Sequence, residues 1–140
     1  MPSTTSSPVT NWNGPLGLPD FAAIKDDDFA GVFDHAFAVH AAEIETIANN
    51  EEPASIINTL KPLELAGEAL DRVSAVFWAK AGAHTNDVIQ GLERDIAPKM
   101  SRHFAAITMN KKLFARINAL WELRSTFDAR SEERRVGKEC

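Results

Sequence analysis

Apolar residues in this chain recur at spacings of three and four, and no stretch of useful length alternates apolar with polar at a spacing of two. That pattern admits helices and leaves little room for a sheet. It is clearest from Arg72 to Met109, RVSAVFWAKAGAHTNDVIQGLERDIAPKMSRHFAAITM. The stretch reads as the end of one long helix, a corner at Ala81 to Asp87, and most of another helix. Gly82 is expected to close the first helix in the left-handed conformation. Thr85 or Asn86 can accept from the free N–H groups of the next helix, with Asp87 at its positive dipole end. The expectation is a helical hairpin against which the flanking segments pack.

Those segments have their own patterns. Met1 to Thr10 is a Ser/Thr/Pro tract, expected to be loose because it buries too little to offset its ordering entropy. In Asn11 to Asp20, Pro15 and Pro19 restrict the backbone to extended forms. With Trp12, Leu16, Leu18 and Phe21 as anchors, this segment predicts an extended arm lying over helices. Lys25 to Asp28 places acids at the start of a helix whose inward face is Phe29, Val32, Phe33, Ala36, Phe37, His40, Ile44 and Ile47. Asp34, Glu43 and Glu45 fall on the opposite face. Ser55 is the expected cap of a second helix carrying Leu60, Leu63, Leu70, Val73, Val76, Phe77 and Lys80. Pro62 should kink it, and Gly67 costs about 1 kcal/mol relative to Ala there. Val88, Ile89, Leu92, Ile96, Met100, Phe104 and Ile107 form the third stripe, interrupted by Pro98, where a kink or short break is expected. Asn110 turns the chain into a fourth helix with Leu113, Phe114, Ile117, Leu120, Trp121 and Phe127 on one side. The predicted helices are 27–48, 55–81, 86–108 and 111–127, an all-α set of antiparallel helical hairpins with an extended Pro-rich N-terminal arm.

The 140 residues suffice for one domain with a modest core. A net charge of −5 argues against a nucleic-acid partner. No apolar run approaches the ~20 residues of a membrane span. The N-terminus has neither the positive charge nor the apolar core of a secretory signal, so a cytoplasmic location is expected. The end of the chain stands apart. Arg130 to Cys140, RSEERRVGKEC, back-translates codon for codon onto a widely used short-read sequencing adapter, and is expected to be translated adapter rather than protein. It contributes four basic and three acidic side chains, so leaving it aside moves the net charge from −5 to −6 and removes Cys140, the sole cysteine. The expected organisation is a disordered tail over 1–10, a helical region over 11–129, and the adapter-derived stretch over 130–140.

Candidate chemistry is sparse. A helical zinc pair needs two imidazoles four residues apart on one face. His35 and His40 are five apart, about 140° around a helix. His84 and His103 are isolated in sequence. All four read as structural. The polar corner His84-Thr85-Asn86-Asp87 is explained by helix capping. Glu43/Glu45 and Glu93/Asp95 are two apart and do not face each other on a helix. Trp78 and Trp121 read as core or interdomain anchors. No catalytic, cofactor-binding or metal-ligating residue is assigned.

Leu70 to His103, with LFARINAL from Leu113 to Leu120 and the opening WNGPLGLPDFAAIKDDDF from Trp12 to Phe29, resembles the N-terminal region of bacterial peptidyl-dipeptidases. These belong to the zinc metallopeptidase family of oligopeptidase A and thimet oligopeptidase. The resemblance covers roughly residues 11–128. Pro62 and Ala79-Lys80 depart locally from the family's pattern. It implies a piece of a larger, two-lobed helical peptidase that hydrolyses short peptides, in which these helices wall part of the substrate channel. It also implies a zinc ion in the full-length parent, held by an H-E-x-x-H motif that this sequence does not contain. The fragment itself should bind no zinc and be inactive without the missing C-terminal catalytic region. The competing reading is a stand-alone helical protein-interaction domain.

Overall fold

The computed structural model describes residues 7–127. Its helices are α1 (Asp28–Ala48), α2 (Lys61–Leu65), α3 (Glu68–Ala83), α4 (Asp87–Thr108) and α5 (Lys111–Glu122). Short 3-10 turns lie at Pro15–Gly17 and Arg124–Thr126, and a π-helical turn at Ile56–Leu60 leads into α2. There is no strand among the described residues, so the protein is all-α.

The organising element is α1 rather than the expected hairpin. Helices α2, α3, α4 and α5 each pack on α1, more extensively than α3 and α4 pack on each other. The reason lies in the α1 stripe: Phe29, Phe33, Ala36, His40, Ile44 and Ile47 are all buried, a face long enough for several partners. The contacts give the directions. Lys80, late in α3, reaches Asp26 just before α1, whereas Gly67, just before α3, meets Glu43 late in α1, so α1 and α3 are antiparallel. Lys99 meets Asp34 and His103 meets His40, so α4 runs alongside α1 in the same direction.

The core falls into two clusters. The larger joins Phe29, Phe33 and Ala36 to Leu70, Val73, Val76 and Phe77, with Ile89 and Ile96 from α4. Phe77 stands edge-on to Phe29 at 5.1 Å and to Phe33 at 5.4 Å between ring centroids. Such pairs add about 0.5–1.5 kcal/mol each beyond area burial. The smaller joins Ile44, Ile47 and Ala48 to Leu113 of α5, with Leu63, Ile107 and Ile117 alongside.

Several local expectations change. The predicted helix over 55–81 is interrupted at Ala66 and Gly67, where Gly67 has φ +89°. The break is set by α1: a Cβ on Gly67 would lie 3.0 Å from the His40 ring, and the Gly67 N–H donates to Glu43 Oε2 at 2.8 Å. Pro62 therefore causes no kink past the first turn of a long helix. It stands in the first turn of α2, where its missing N–H is no loss. Ser55 caps the π-helical turn in a reciprocal capping box with Asn58. Gly82 does not close α3, which runs to Ala83 and ends at His84, with φ −141°. Asn86 caps α4 by accepting from the Ile89 N–H, and Asp87 follows in the first turn. Helix α4 passes Pro98 without a break. Pro98 and Arg94 both lie on its exposed side, where water can bond the freed carbonyl.

The N-terminal arm is anchored by different residues than expected. Leu16, Leu18 and Phe21 are exposed, while Val9, within the segment expected to be loose, is fully buried in the larger cluster. Trp12 Nε1 donates to the Val9 carbonyl at 3.0 Å, and the Arg72 guanidinium lies over the Trp12 ring. Pro19 and Ile24 are also buried. The expected end of the last helix moves from 127 to Glu122. The expectations for residues 1–6 and 130–140 lie outside the described residues.

Candidate functional site

Polar side chains meet α1 at three levels. At its start, Lys80 Nζ donates to the Ile24 carbonyl at 2.9 Å and lies 2.8 Å from Asp26 Oδ1. Asn86 Nδ2 donates to Asp26 Oδ2 at 2.8 Å. The hydrogen bond from Lys80, then that from Asn86, holds the Asp26 carboxyl below its ordinary pKa against the opposing effect of burial. Asn86 thus caps α4 and ties the α3–α4 corner to the chain just before α1. The capping explanation of that corner holds, and His84 itself is exposed.

At mid-height the structure brings together two histidines that lie 63 residues apart. His103 Nε2 is 3.0 Å from His40 Nδ1. Phe37 and Phe104 pack against the His103 ring. Burial, and then the neighbouring His40, pushes the His103 imidazole below its ordinary pKa. His35 is exposed and joins neither ring.

At the far end, Arg116 is a buried hub that the sequence reading missed. Its Nη1 donates to the Asn50 and Glu52 carbonyls at 2.6 and 2.9 Å. Its Nη2 donates to Asn58 Oδ1 and Thr59 Oγ1 at 2.9 and 3.0 Å. The signal was present: Arg116 stands three after Leu113 and four before Leu120, on the buried side of α5. Glu43, assigned to the solvated face, was the other omission; it accepts from Gly67.

Each donor or carboxylate is engaged in holding helices, and among the described residues no three His, Cys, Asp or Glu side chains are grouped to hold a metal. A surface depression of about 170 Å³ is lined by Glu64, Leu65, Ala66, Glu68 and Asp71. Another of about 80 Å³ beside His103 is lined mainly by Ala41, Ile44, Ala106 and Ile107. What remains open is apolar. Phe114 and Trp121, seven residues apart on one side of α5, are 64% and 44% exposed, and Trp78 of α3 is 44% exposed. Leu113 is buried against α1.

No family model matches the chain. It is 35% identical over 122 residues to the dipeptidyl carboxypeptidase of Salmonella typhimurium, strain LT2, and equally to that of Escherichia coli K12. Over that stretch the chain is similar to the bacterial dipeptidyl carboxypeptidases. The match takes in 87% of this chain but only 18% of each carboxypeptidase, so the chain spans less than a fifth of the relatives' length. It corresponds to the N-terminal region of such a peptidase. Among the described residues, no helix is long and apolar enough to cross a membrane. The donor set does not fit a catalytic zinc, which needs three protein ligands converging around an open position. His40 and His103 face each other, and among the described residues no third His, Cys, Asp or Glu completes a metal-holding group with them.

Proposed function

We propose that residues 11–129 are the N-terminal helical part of a cytoplasmic, zinc-dependent peptidyl-dipeptidase or close oligopeptidase that hydrolyses short peptides, and that they wall part of its substrate channel. The observation that carries this reading is the 35% identity over 87% of the chain to dipeptidyl carboxypeptidases. The structure supports it in two ways. Its polar groups are engaged in holding helices to α1, as befits a supporting wall. Phe114 and Trp121 of α5 and Trp78 of α3 leave apolar surface that the remainder of a longer protein would cover.

In this reading the catalytic groups belong to the missing C-terminal region, and no chemical step is assigned to residues 7–127. Reading the genomic DNA past codon 129 is the test. The expected result is an open frame that continues to an H-E-x-x-H. A stop codon directly after Asp128 would overturn the proposal and favour a stand-alone helical interaction domain.

A further inference from the structure

We infer that His40 and His103 form a proton-gated latch that fastens the C-terminal half of α4 to α1. The placement of the pair suggests it. Along α1, Ala36 belongs to the larger apolar cluster and Ile44 to the smaller, and His40 lies between them. Along α4, the buried residues Ile89 and Ile96 both precede His103. Beyond Ile96, the polar ties from α4 to α1 are the exposed Lys99–Asp34 pair and the His103–His40 contact. Partly buried Met100 and Ile107 add apolar contact. The histidines therefore occupy a polar seam between two cores.

The gating follows from hydrogen counting. A ring nitrogen donates when protonated and accepts when not. With both rings neutral, or with one proton added, one hydrogen lies between Nε2 of His103 and Nδ1 of His40 and the 3.0 Å contact holds. With both rings cationic, two N–H groups and two like charges face each other and the contact must open. His40 has no room to turn away: it is 8% exposed, and the Cβ position of Gly67 lies 3.0 to 3.2 Å from its ring. His103, on the solvent side, is the ring that moves.

The charged groups around the seam do not alter the direction. On α1, Glu43 accepts from Gly67 and Glu45 accepts from Asn49. Neither carboxylate lies between the rings. On α4, Lys99 is paired with Asp34, and Arg102 is exposed. The Ala66–Gly67 bend presents backbone, and Glu68 beyond it pairs with Arg72. On α5, Lys112 donates to Asn49. A lowered His103 pKa means that the folded chain binds fewer protons than the unfolded chain below about pH 6.5. The latch is closed above that pH and opens as the pH falls.

The test is imidazole NMR on the 140-residue chain from pH 8 to 4.5, with amide hydrogen exchange corrected for its intrinsic pH dependence. One ring of the pair should titrate below its ordinary value, and protection over residues 103–108 should fall with the same midpoint. The expected fall is about tenfold for each unit by which the second proton is disfavoured, with Ile89 to Ile96 unaffected. In His103→Gln, whose amide can still donate to His40 without titrating, the fall should vanish. The latch is refuted if both rings titrate at ordinary values with constant protection of residues 103–108, or if His103→Gln keeps the full pH dependence. The wild-type titration decides the matter even if the variant does not fold.

Discussion

Around the first half of α1, Phe29, Phe33 and Ala36 meet Leu70, Val73, Val76 and Phe77 with side chains almost free of polar atoms. Around its last turns, Ile44, Ile47 and Ala48 share the contact with Leu113, and beside them a buried guanidinium binds two carbonyls, an amide oxygen and a hydroxyl. The first region is held by apolar burial, which weakens gradually as volume is removed. The second depends on a hydrogen-bonded network, and removing its centre strands several buried acceptors together. The irregular segment 49–60, with its π-helical turn, needs such a centre because it has few apolar side chains of its own to bury.

The comparison can be broken by substitution. Phe77→Ala should have the largest effect, destabilising by about 3–5 kcal/mol, because it opens a cavity between two edge-on rings. Urea unfolding would measure it, and a loss below 1 kcal/mol would show that the aromatic cluster is not the main support. Arg116→Met should lose about 3 kcal/mol despite conserving apolar length, through the stranded partners. Arg116→Lys should recover only part of this, since an ammonium cannot serve all four acceptors. Equal stability of the Met variant and wild type would remove the distinction between the two regions.

Gly67→Ala tests the seam between them. The left-handed backbone and the His40 ring together should make it about 1–2 kcal/mol less stable, read as a lower thermal midpoint. The smallest effect concerns Lys80→Met, about 1 kcal/mol at neutral pH. Its pH dependence is the sharper readout. Asp26 has its folded pKa lowered below 3.8, so its contribution is present above that value and is lost as the pH falls through the folded pKa. Wild type should therefore lose more stability than Lys80→Met between pH 5 and pH 2.

The difference between the regions also explains what could be read from the chain. The α1 and α3 stripes were legible because burial follows a helical period, and Phe29, Phe33, Val73 and Phe77 fall where that period places them; in the expected α5 stripe Leu113 and Leu120 are buried, but Phe114 and Trp121 are exposed. Asn110 and Asn86 were legible as corners because capping is local. The break at Gly67 was not, since an interior glycine alone costs too little to end a helix, and the deciding groups, Glu43 and His40, lie over twenty residues earlier. Likewise, spacing cannot reveal His40 against His103. The chosen arm anchors failed because hydrophobicity alone does not say which way a Pro-rich backbone points: Leu16 faces outward and Val9 inward.

We propose that these residues support helices and that peptide chemistry lies in the rest of a longer enzyme. The most direct measurement uses purified 140-residue chain, assayed with a quenched oligopeptide and titrated with zinc. The account predicts no stoichiometric zinc binding and no turnover, because a catalytic zinc needs three converging ligands and the histidines at 35, 40, 84 and 103 do not supply them. Zinc-dependent cleavage that persists after contaminating peptidases are removed would contradict it.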